Sequence, residues 1–445
     1  MLVAIANTLA YVGISIFLIF QTRKYTTQIL LLPFVYSMGR AVYIDIYPSH
    51  VYYATLTPHD IMFFLLFIAA RRITIKRHSF VLFKVNSVFL FPFILMTALV
   101  LLEILLSLSQ AWYQGQIGLR ETLASRIHLF FPVSFFLLVY MMRHIYIAEI
   151  FRFLDSIANI TIAFLSLYIL NSGLGVVVYP YALYFTTYIH SSTIVRDFLT
   201  FPYWTSLAIS YKLVAPSNIM KYISSLFIFS FGIVLTYTRS FILSFSISIA
   251  LYLFYLPHVA DSHKVRKLFY ISIFLLIIIT IFFFSPYSKS ESSSYLLSRF
   301  SGISIDESSI NDRNLQSRTN RFDLVYNDVR ENYFFFGQGF FSANDRYLPT
   351  AQSDGDWPYI LHVMGSIGLI IYILPILFTV IGCLGVLYSK AHIVRKQLAM
   401  IILLYMVFYI SYTLVSQYIY FWNVLAPFGP ALAAVNTSNA WLKRD

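Results

Sequence analysis

Long apolar segments alternate with short polar connections along most of the chain, and one long polar stretch interrupts this pattern. From Pro286 to Trp357 the chain is polar over 72 residues and carries 17 of its 50 charged residues. Further apolar segments follow directly, which predicts a loop between membrane spans and not a tail. Long loops between rigid elements are where binding and catalytic residues concentrate.

Apolar runs of roughly 17 to 25 residues with charged borders predict the membrane-spanning helices. The runs lie near 1–20, 29–47, 52–70, 86–108, 122–142, 155–178, 197–212, 219–237, 240–256, 268–285, 358–388, 397–418 and 421–441. The last contains Pro427 and Pro430, and a broken or re-entrant form of it would leave twelve spans instead of thirteen. The first lacks a basic leader and a small-residue cleavage site, so we expect a retained span.

This pattern predicts an all-α polytopic membrane protein with about 12–13 transmembrane helices. Spans fill residues 1–285, the loop 286–357 carries a short amphipathic helix, and further spans fill 358–445. Apolar residues make up 59% of the chain and charged residues 11%, a composition that would make a soluble domain aggregate. The runs are too long and unbroken for a β-barrel. The single cysteine, Cys383, excludes an intrachain disulfide or a thiolate metal site, and we expect it to be a packing residue.

Lysine and arginine collect in alternate connections between the spans. Those connections hold 19 of the 31 basic residues, and by the positive-inside rule they face the cytoplasm. The long loop lies on the other side, with seven basic and ten acidic residues. The net charge of +12 is therefore mainly a topology signal and does not indicate nucleic-acid binding.

One part of the long loop shows helical periodicity. Between Ser317 and Asn332, the apolar residues Phe322, Val325 and Val329 recur at spacings of three and four. This stripe predicts an amphipathic helix near 318–331 that lies flat on the membrane surface.

Two arginines accompany the stripe, because Arg318 falls within it and Arg321 lies at its edge. Cations in the first turn oppose the helix macrodipole at a cost of about 0.3–1 kcal/mol, which suggests that they bind a ligand. Snorkelling to lipid phosphates, or pairing with Asp323 and Asp328, is the structural alternative.

A third arginine, Arg239, lies at the outward junction of two predicted spans. A charge within the membrane costs at least ~2.5 kcal/mol and is normally paired or functional. The planar guanidinium suits phosphate, so several outward arginines around one cavity would bind a lipid-linked pyrophosphate. An ion pair with Glu103 or Asp197 is the alternative.

Two carboxylates stand where the loop re-enters the membrane, in Ser353-Asp354-Gly355-Asp356-Trp357-Pro358. A carboxylate at this position could act as a general base toward a sugar hydroxyl. Turn formation and helix capping before Pro358 would select the same residue types. Aromatic residues reach 19% of the chain, and a few outward ones such as Trp204 or Trp357 could stack on sugar rings instead of joining the interfacial belt.

Three motifs surround the loop in a recognisable order. The run Thr236-Tyr237-Thr238-Arg239-Ser240 resembles the Thr-x-Ser-Arg signature of the O-antigen ligase and polymerase superfamily. The Arg-rich stretch from Arg318, ending in Phe336-Gly337-Gln338-Gly339, is similar to that family's loop and its Gly-x-Gly turn. The segment from Asp354 to Gly365 and Gly368 is similar to its loop-exit motif. The resemblance covers roughly residues 219–425.

The resemblance implies a membrane glycosyltransferase of the GT-C-like class in the bacterial inner membrane, with the loop in the periplasm. Its substrates would be oligosaccharides linked to undecaprenyl pyrophosphate. Ligases of the superfamily have histidine where this chain has Asp354, and His362 is too close to Gly365 to replace it. This departure favours the O-antigen polymerase (Wzy-type) branch over the ligase branch.

The resemblance also implies roles for individual residues. Arg239, Arg318 and Arg321 would hold the donor pyrophosphate, and Asp354 or Asp356 would activate the acceptor hydroxyl in an inverting reaction with no metal and no cofactor. Further candidates, for the acceptor's pyrophosphate, are Arg196, Arg120 and Arg126. A chain-length regulator is an expected protein partner.

Two other classes stay open from the sequence. A lipid-linked oligosaccharide flippase would also be polytopic, basic and phosphate-binding, but it needs no long outward loop. A transporter is the general alternative for this composition, although the two halves share no paired Gly/Pro-broken spans.

Overall fold

The computed structural model describes residues 68, 87–113, 147–173, 202–215, 218–235, 239–259, 323–331, 333–337 and 356–413. Regular secondary structure in these ranges is helical, without a β-strand. In chain order the helices are α1 (Ser87–Tyr113), α2 (Ile147–Gly173), α3 (Pro202–Val214), α4 (Ile219–Leu235), α5 (Arg239–Val259), α6 (residues 323–331), α7 (Asp356–Tyr388) and α8 (Ile393–Thr413).

Three of the described helices are long and apolar enough to cross a membrane. They are Phe241–Val259 in α5, Ile360–Tyr388 in α7 and Ile393–Ser411 in α8, and each coincides with a predicted span. The predicted all-helical class therefore holds for the described residues. Six of the predicted spans lie wholly or almost wholly outside them, so the total of 12–13 remains a prediction.

The helix α8 forms the centre of the described bundle and packs against α3, α5 and α7. It is apolar on all sides, as a helix surrounded by other helices should be, and Leu398 to Met406 are all buried. Phe408 meets Phe241 of α5 edge to face, with ring centroids 5.5 Å apart. The side chains of α8 thus supply the core to which the surrounding helices attach.

A buried hydrogen bond joins α7 to α8. The hydroxyl groups of Tyr372 and Tyr409 are buried and lie 2.9 Å apart. Polar groups that leave water need a partner, so this bond favours one register between the two helices. The connection from Ser389 to His392 is short, which makes α7 and α8 antiparallel neighbours.

The helix α2 packs on α3 and α4 and begins earlier than the apolar pattern predicts. It starts at Ile147 and not near residue 155, because its first turns are helical and amphipathic but too polar to register as a span. Lys212 of α3 donates hydrogen bonds to Asp155 at 2.8 Å and to Asn159 at 3.1 Å. This polar network attaches the N-terminal half of α2 to α3.

The helix α7 is broken at Gly365, whose φ and ψ are 65° and −165°. The predicted span 358–388 therefore consists of two helical segments, 356–364 and 366–388. The second segment has a length of about 34 Å at 1.5 Å per residue. That length suits the roughly 30 Å hydrocarbon core of a bilayer without help from the first segment.

Candidate functional site at the start of α5 and α7

Two of the residues to which the sequence assigns chemistry lie at helix starts. Arg239 is the first residue of α5, and Asp356 is the first residue of α7. The other predicted site residues lie outside the described part of the chain: Asp354, Arg318, Arg321, Arg196, Arg120 and Arg126. Their roles remain predictions.

The helices α5 and α7 run parallel, which brings their starts to the same end of the bundle. At the far end, Tyr255 and His258 of α5 contact Tyr388 of α7, with centroid distances of 6.0 and 5.2 Å. The two helices also pack on each other directly. Arg239 and the start of the second α7 segment therefore stand at the end of the bundle opposite Tyr388.

The start of α5 and the break in α7 differ in depth along the bundle axis. Phe241 in the first turn of α5 contacts Phe408 of α8. The next residue of α8, Tyr409, forms a hydrogen bond with Tyr372 of α7. The first turn of α5 therefore lies level with Tyr372. Gly365 precedes Tyr372 by seven residues, and at 1.5 Å per residue it stands about 10 Å further toward that end. The start of α5 is thus recessed relative to the break in α7.

The helix α6 of the long loop packs on α7 around this break. Val325 and Val329 are buried together with Leu361 of the first α7 segment, and Leu369 of the second segment packs against them. The helix occupies residues 323–331, within the segment where the valine spacing predicts a helix. The sequence predicts that the apolar stripe faces the membrane surface. In the structure both valines pack on α7 instead.

A turn continues α6 and ends against the start of the second α7 segment. Tyr333 N–H donates to the Val329 carbonyl at 2.8 Å, and Gly337 N–H donates to the Tyr333 carbonyl at 2.9 Å. The Phe334 carbonyl then accepts hydrogen bonds from both the backbone N–H and the hydroxyl of Ser366, at 2.9 and 2.8 Å.

The neighbouring carbonyl of Phe335 accepts a hydrogen bond from the Ile367 N–H at 3.3 Å. The first N–H groups of a helix have no partner inside that helix. Here carbonyls of the loop turn supply the partners for the second α7 segment. The loop therefore caps the helix that follows it. The sequence pattern did not predict this contact.

Two glycines make the approach of the turn to α7 sterically feasible. Gly337 and Gly365 both have positive φ values, 68° and 65°. A Cβ on Gly337 would lie 2.5 Å from the Val363 carbonyl atoms and 2.6 Å from Gly365 N. A Cβ on Gly365 would lie 2.6 Å from Gly337 N and would overlap the Phe335 carbonyl. Neither position has room for a side chain.

Two side chains that the sequence analysis weighed as site residues, one aromatic and one ionisable, are buried in the helix bundle. Trp204 is fully buried in α3 and packs edge to face on Phe153 of α2, so it is wrong as a sugar-stacking candidate. His362 is also fully buried, within the first segment of α7. Trp357 is partly exposed beside Asp356.

Chemically, this end of the bundle combines helix N-termini with a loop anchored beside them. The N-terminus of a helix carries a partial positive charge and unpaired N–H donors, which favour an anion. The helix α5 begins with the cationic residue Arg239. The first N–H donors of the second α7 segment are not available to an anion, because loop carbonyls accept hydrogen bonds from them.

Comparison with protein-family models finds none that matches this chain, and comparison with curated proteins finds no significant match either.

Proposed function

We propose that this protein is an O-antigen polymerase of the Wzy type or a polymerase of a related surface polysaccharide. It would join oligosaccharide repeat units carried on undecaprenyl pyrophosphate at the periplasmic face of the bacterial inner membrane. The chain would be an inverting glycosyltransferase of the GT-C-like class that needs no metal and no cofactor.

The observation that carries this proposal is the contact between two of the motifs on which the resemblance rests. Gly337 belongs to the Gly-x-Gly turn of the loop, and Gly365 belongs to the Gly-x-x-Gly of the loop exit. They lie far apart in sequence, yet their backbones meet. Contact between these two motifs closes the loop over one end of the helix bundle. This arrangement suits an enzyme whose site is formed partly by a loop better than it suits a flippase.

The donor pyrophosphate would bind at the start of α5. Arg239 would contribute a bidentate cation there, and the N-terminus of α5 would add its positive end. Arg318 and Arg321 precede α6 in sequence by a few residues, and α6 is fixed to α7 at the same end of the bundle. The three arginines would stabilise the negative charge that develops on the leaving undecaprenyl pyrophosphate.

The acceptor sugar would be activated by a carboxylate at the loop exit. Asp354 or Asp356 would take the proton of the acceptor hydroxyl, and that oxygen would form a bond to the anomeric carbon of the donor. The bond from the anomeric carbon to the pyrophosphate oxygen would break, with its electron pair leaving on the pyrophosphate. A single displacement of this kind inverts the anomeric configuration.

The second lipid carrier and a partner protein complete the proposal. Arg196, Arg120 and Arg126 would contact the pyrophosphate of the acceptor. A chain-length regulator would bind the enzyme and set the number of units joined.

The banding pattern of surface polysaccharide from a deletion strain tests the proposal. A polymerase deletion leaves one repeat unit on the lipid A core. A ligase deletion leaves no repeats on the core and accumulates lipid-linked polymer, and a flippase deletion traps lipid-linked single units inside the cell.

Complementation of the deletion strain then tests the site. Arg321→Ala should give the single-unit pattern while the variant remains inserted at the wild-type level. A normal ladder from Arg321→Ala would contradict the assignment.

A further inference from the structure

The turn that follows α6 presents a patch of aromatic side chains that the protein does not bury. Phe335 and Phe336 are 59% and 54% exposed, and Tyr333 and Phe334 are also exposed. Phe334 and Phe335 stack edge to face with centroids 5.1 Å apart, so they form one surface. We call the residues from Tyr333 to Phe336 the aromatic turn. A contiguous exposed apolar patch of this kind marks a contact with a membrane or another protein.

The position of the aromatic turn along α7 indicates which of these it contacts. The apolar side chains that α7 leaves exposed are Ile370, Leu377, Ile381 and Tyr388. At 100° per residue these four positions fall within about 40° of one another on the helix. In a membrane-spanning helix, such a single exposed apolar stripe faces lipid.

The aromatic turn stands at the end of this stripe. Its carbonyls accept hydrogen bonds from Ser366 and Ile367, the first two residues of the second α7 segment. Viewed along the helix axis, Ser366 lies about 40° to one side of the centre of the stripe and Ile367 about 60° to the other side. The aromatic turn is therefore fixed to the end of the helix at which the exposed stripe begins.

The depth of the turn also agrees with a membrane boundary. The second α7 segment is about 34 Å long and spans a hydrocarbon core of roughly 30 Å, so its first residues stand at the headgroup level. Aromatic side chains are enriched at that level, and Phe, Trp and Leu are typical anchors of segments that lie in the interface.

We propose that the aromatic turn inserts into the headgroup region of the lipid bilayer and holds α6 at the membrane surface. The contact is made by Phe335 and Phe336 at the end of α6, and the valine stripe of α6 takes no part because it packs on α7. The proposal requires a membrane-embedded chain but does not depend on its enzymatic activity.

The single cysteine of the chain allows a direct test. Cys383 is fully buried in α7, and Cys383→Ala gives a background without a thiol. Phe336→Cys in that background carries an environment-sensitive NBD fluorophore on the aromatic turn. Asn327→Cys is the matched control, because Asn327 is exposed and lies on α6 about 180° from the midpoint of Val325 and Val329.

Both labelled proteins are placed in vesicles of phosphatidylcholine and phosphatidylglycerol. A phosphatidylcholine with a nitroxide on its headgroup should quench the probe at residue 336 several-fold more than the probe at 327. Aqueous iodide should show the opposite preference.

Two results would overturn the proposal. Equal iodide quenching at residues 336 and 327 would show that the aromatic turn faces water. A probe at 336 that neither quencher reaches would show that another part of the protein, or a second copy of it, covers the turn. Phe335→Cys repeats the measurement if Phe336→Cys does not fold.

Discussion

The backbones of Gly337 and Gly365 approach so closely that a side chain on either residue would collide with the other. A Cβ added to either glycine would lie 2.6 Å from the backbone nitrogen of the other. Both also have the positive φ that favours glycine. The contact joins the long polar loop to the span that follows it. The helix α6, the aromatic turn and α7 consequently form one packed unit, so changes at the glycine contact should affect the docking of α6 and the turn.

Substitution of Gly365 tests this contact. We expect Gly365→Ala to weaken the docking of the loop by about 2–4 kcal/mol, since a left-handed alanine is strained and its Cβ overlaps the Phe335 carbonyl. Limited proteolysis should then cut the loop faster than in the wild type. Gly385→Ala is the matched control in the same helix, because a Cβ there meets no atom within 4 Å. Equal proteolysis rates in both variants would contradict the contact.

The packing of α6 on α7 is open to a charge-insertion experiment. Val329→Asp places a carboxylate in the buried contact with Leu361, at a cost we expect to be about 3 kcal/mol or more. The helix should detach locally while the bundle stays folded, since loop segments open at lower free energy than the core. Amide hydrogen exchange over residues 323–331 should become fast. Asn327→Asp adds the same charge on the exposed face and should leave the exchange slow; fast exchange there as well would indicate a nonspecific effect.

The hydroxyl pair of Tyr372 and Tyr409 should contribute modestly to bundle stability. We expect Tyr372→Phe and Tyr409→Phe each to cost about 0.5–2 kcal/mol, as hydrogen bonds between membrane helices typically do. The double variant should cost less than the sum of the two, because both changes remove the same bond. Unfolding in mixed micelles with increasing SDS measures the three variants. Strict additivity would mean that the two hydroxyl groups do not interact.

The proposed phosphate role of Arg239 predicts a graded loss of function. Arg239→Ala should abolish polymerisation, and Arg239→Lys should retain a part of it, because lysine keeps the charge but lacks the bidentate fork. The polysaccharide ladder of complemented deletion strains measures both. Lys221→Ala removes an exposed cation in α4 and should leave the ladder unchanged. A wild-type ladder from Arg239→Ala would remove the start of α5 from the site.

Several elements of the described part followed from the sequence. Apolar runs located α5, α7 and α8, since the length and composition of a span are local properties that a membrane demands. The spacing of Val325 and Val329 indicated the face of α6 that is buried, since 3.6-residue periodicity is equally local. The start of α2 at Ile147 was missed, because amphipathic turns with charged residues form helix without raising hydropathy.

The sequence predicted the residues of the candidate site and the side of the membrane on which they lie, but not the packing of their helices. Arg239 and Asp356 each stand at the start of a helix, and the charge of the connections predicted both starts on the outward side. No pattern along the chain indicated that α5 and α7 pack on each other with their far ends in contact. That relation depends on contacts between Tyr255, His258 and Tyr388, which are remote from the site.

The sequence by itself determined the all-helical class of the described part, its most apolar helices and the buried face of α6. Only the tertiary structure decided that this face meets Leu361 and not lipid, and that α7 breaks at Gly365. Periodicity tells which side of a helix is apolar, but any apolar surface can cover that side, and the covering surface comes from elsewhere in the chain. Gly365 and Gly385 are the same residue type in α7, but only Gly365 has a positive φ and a loop backbone in close contact with it.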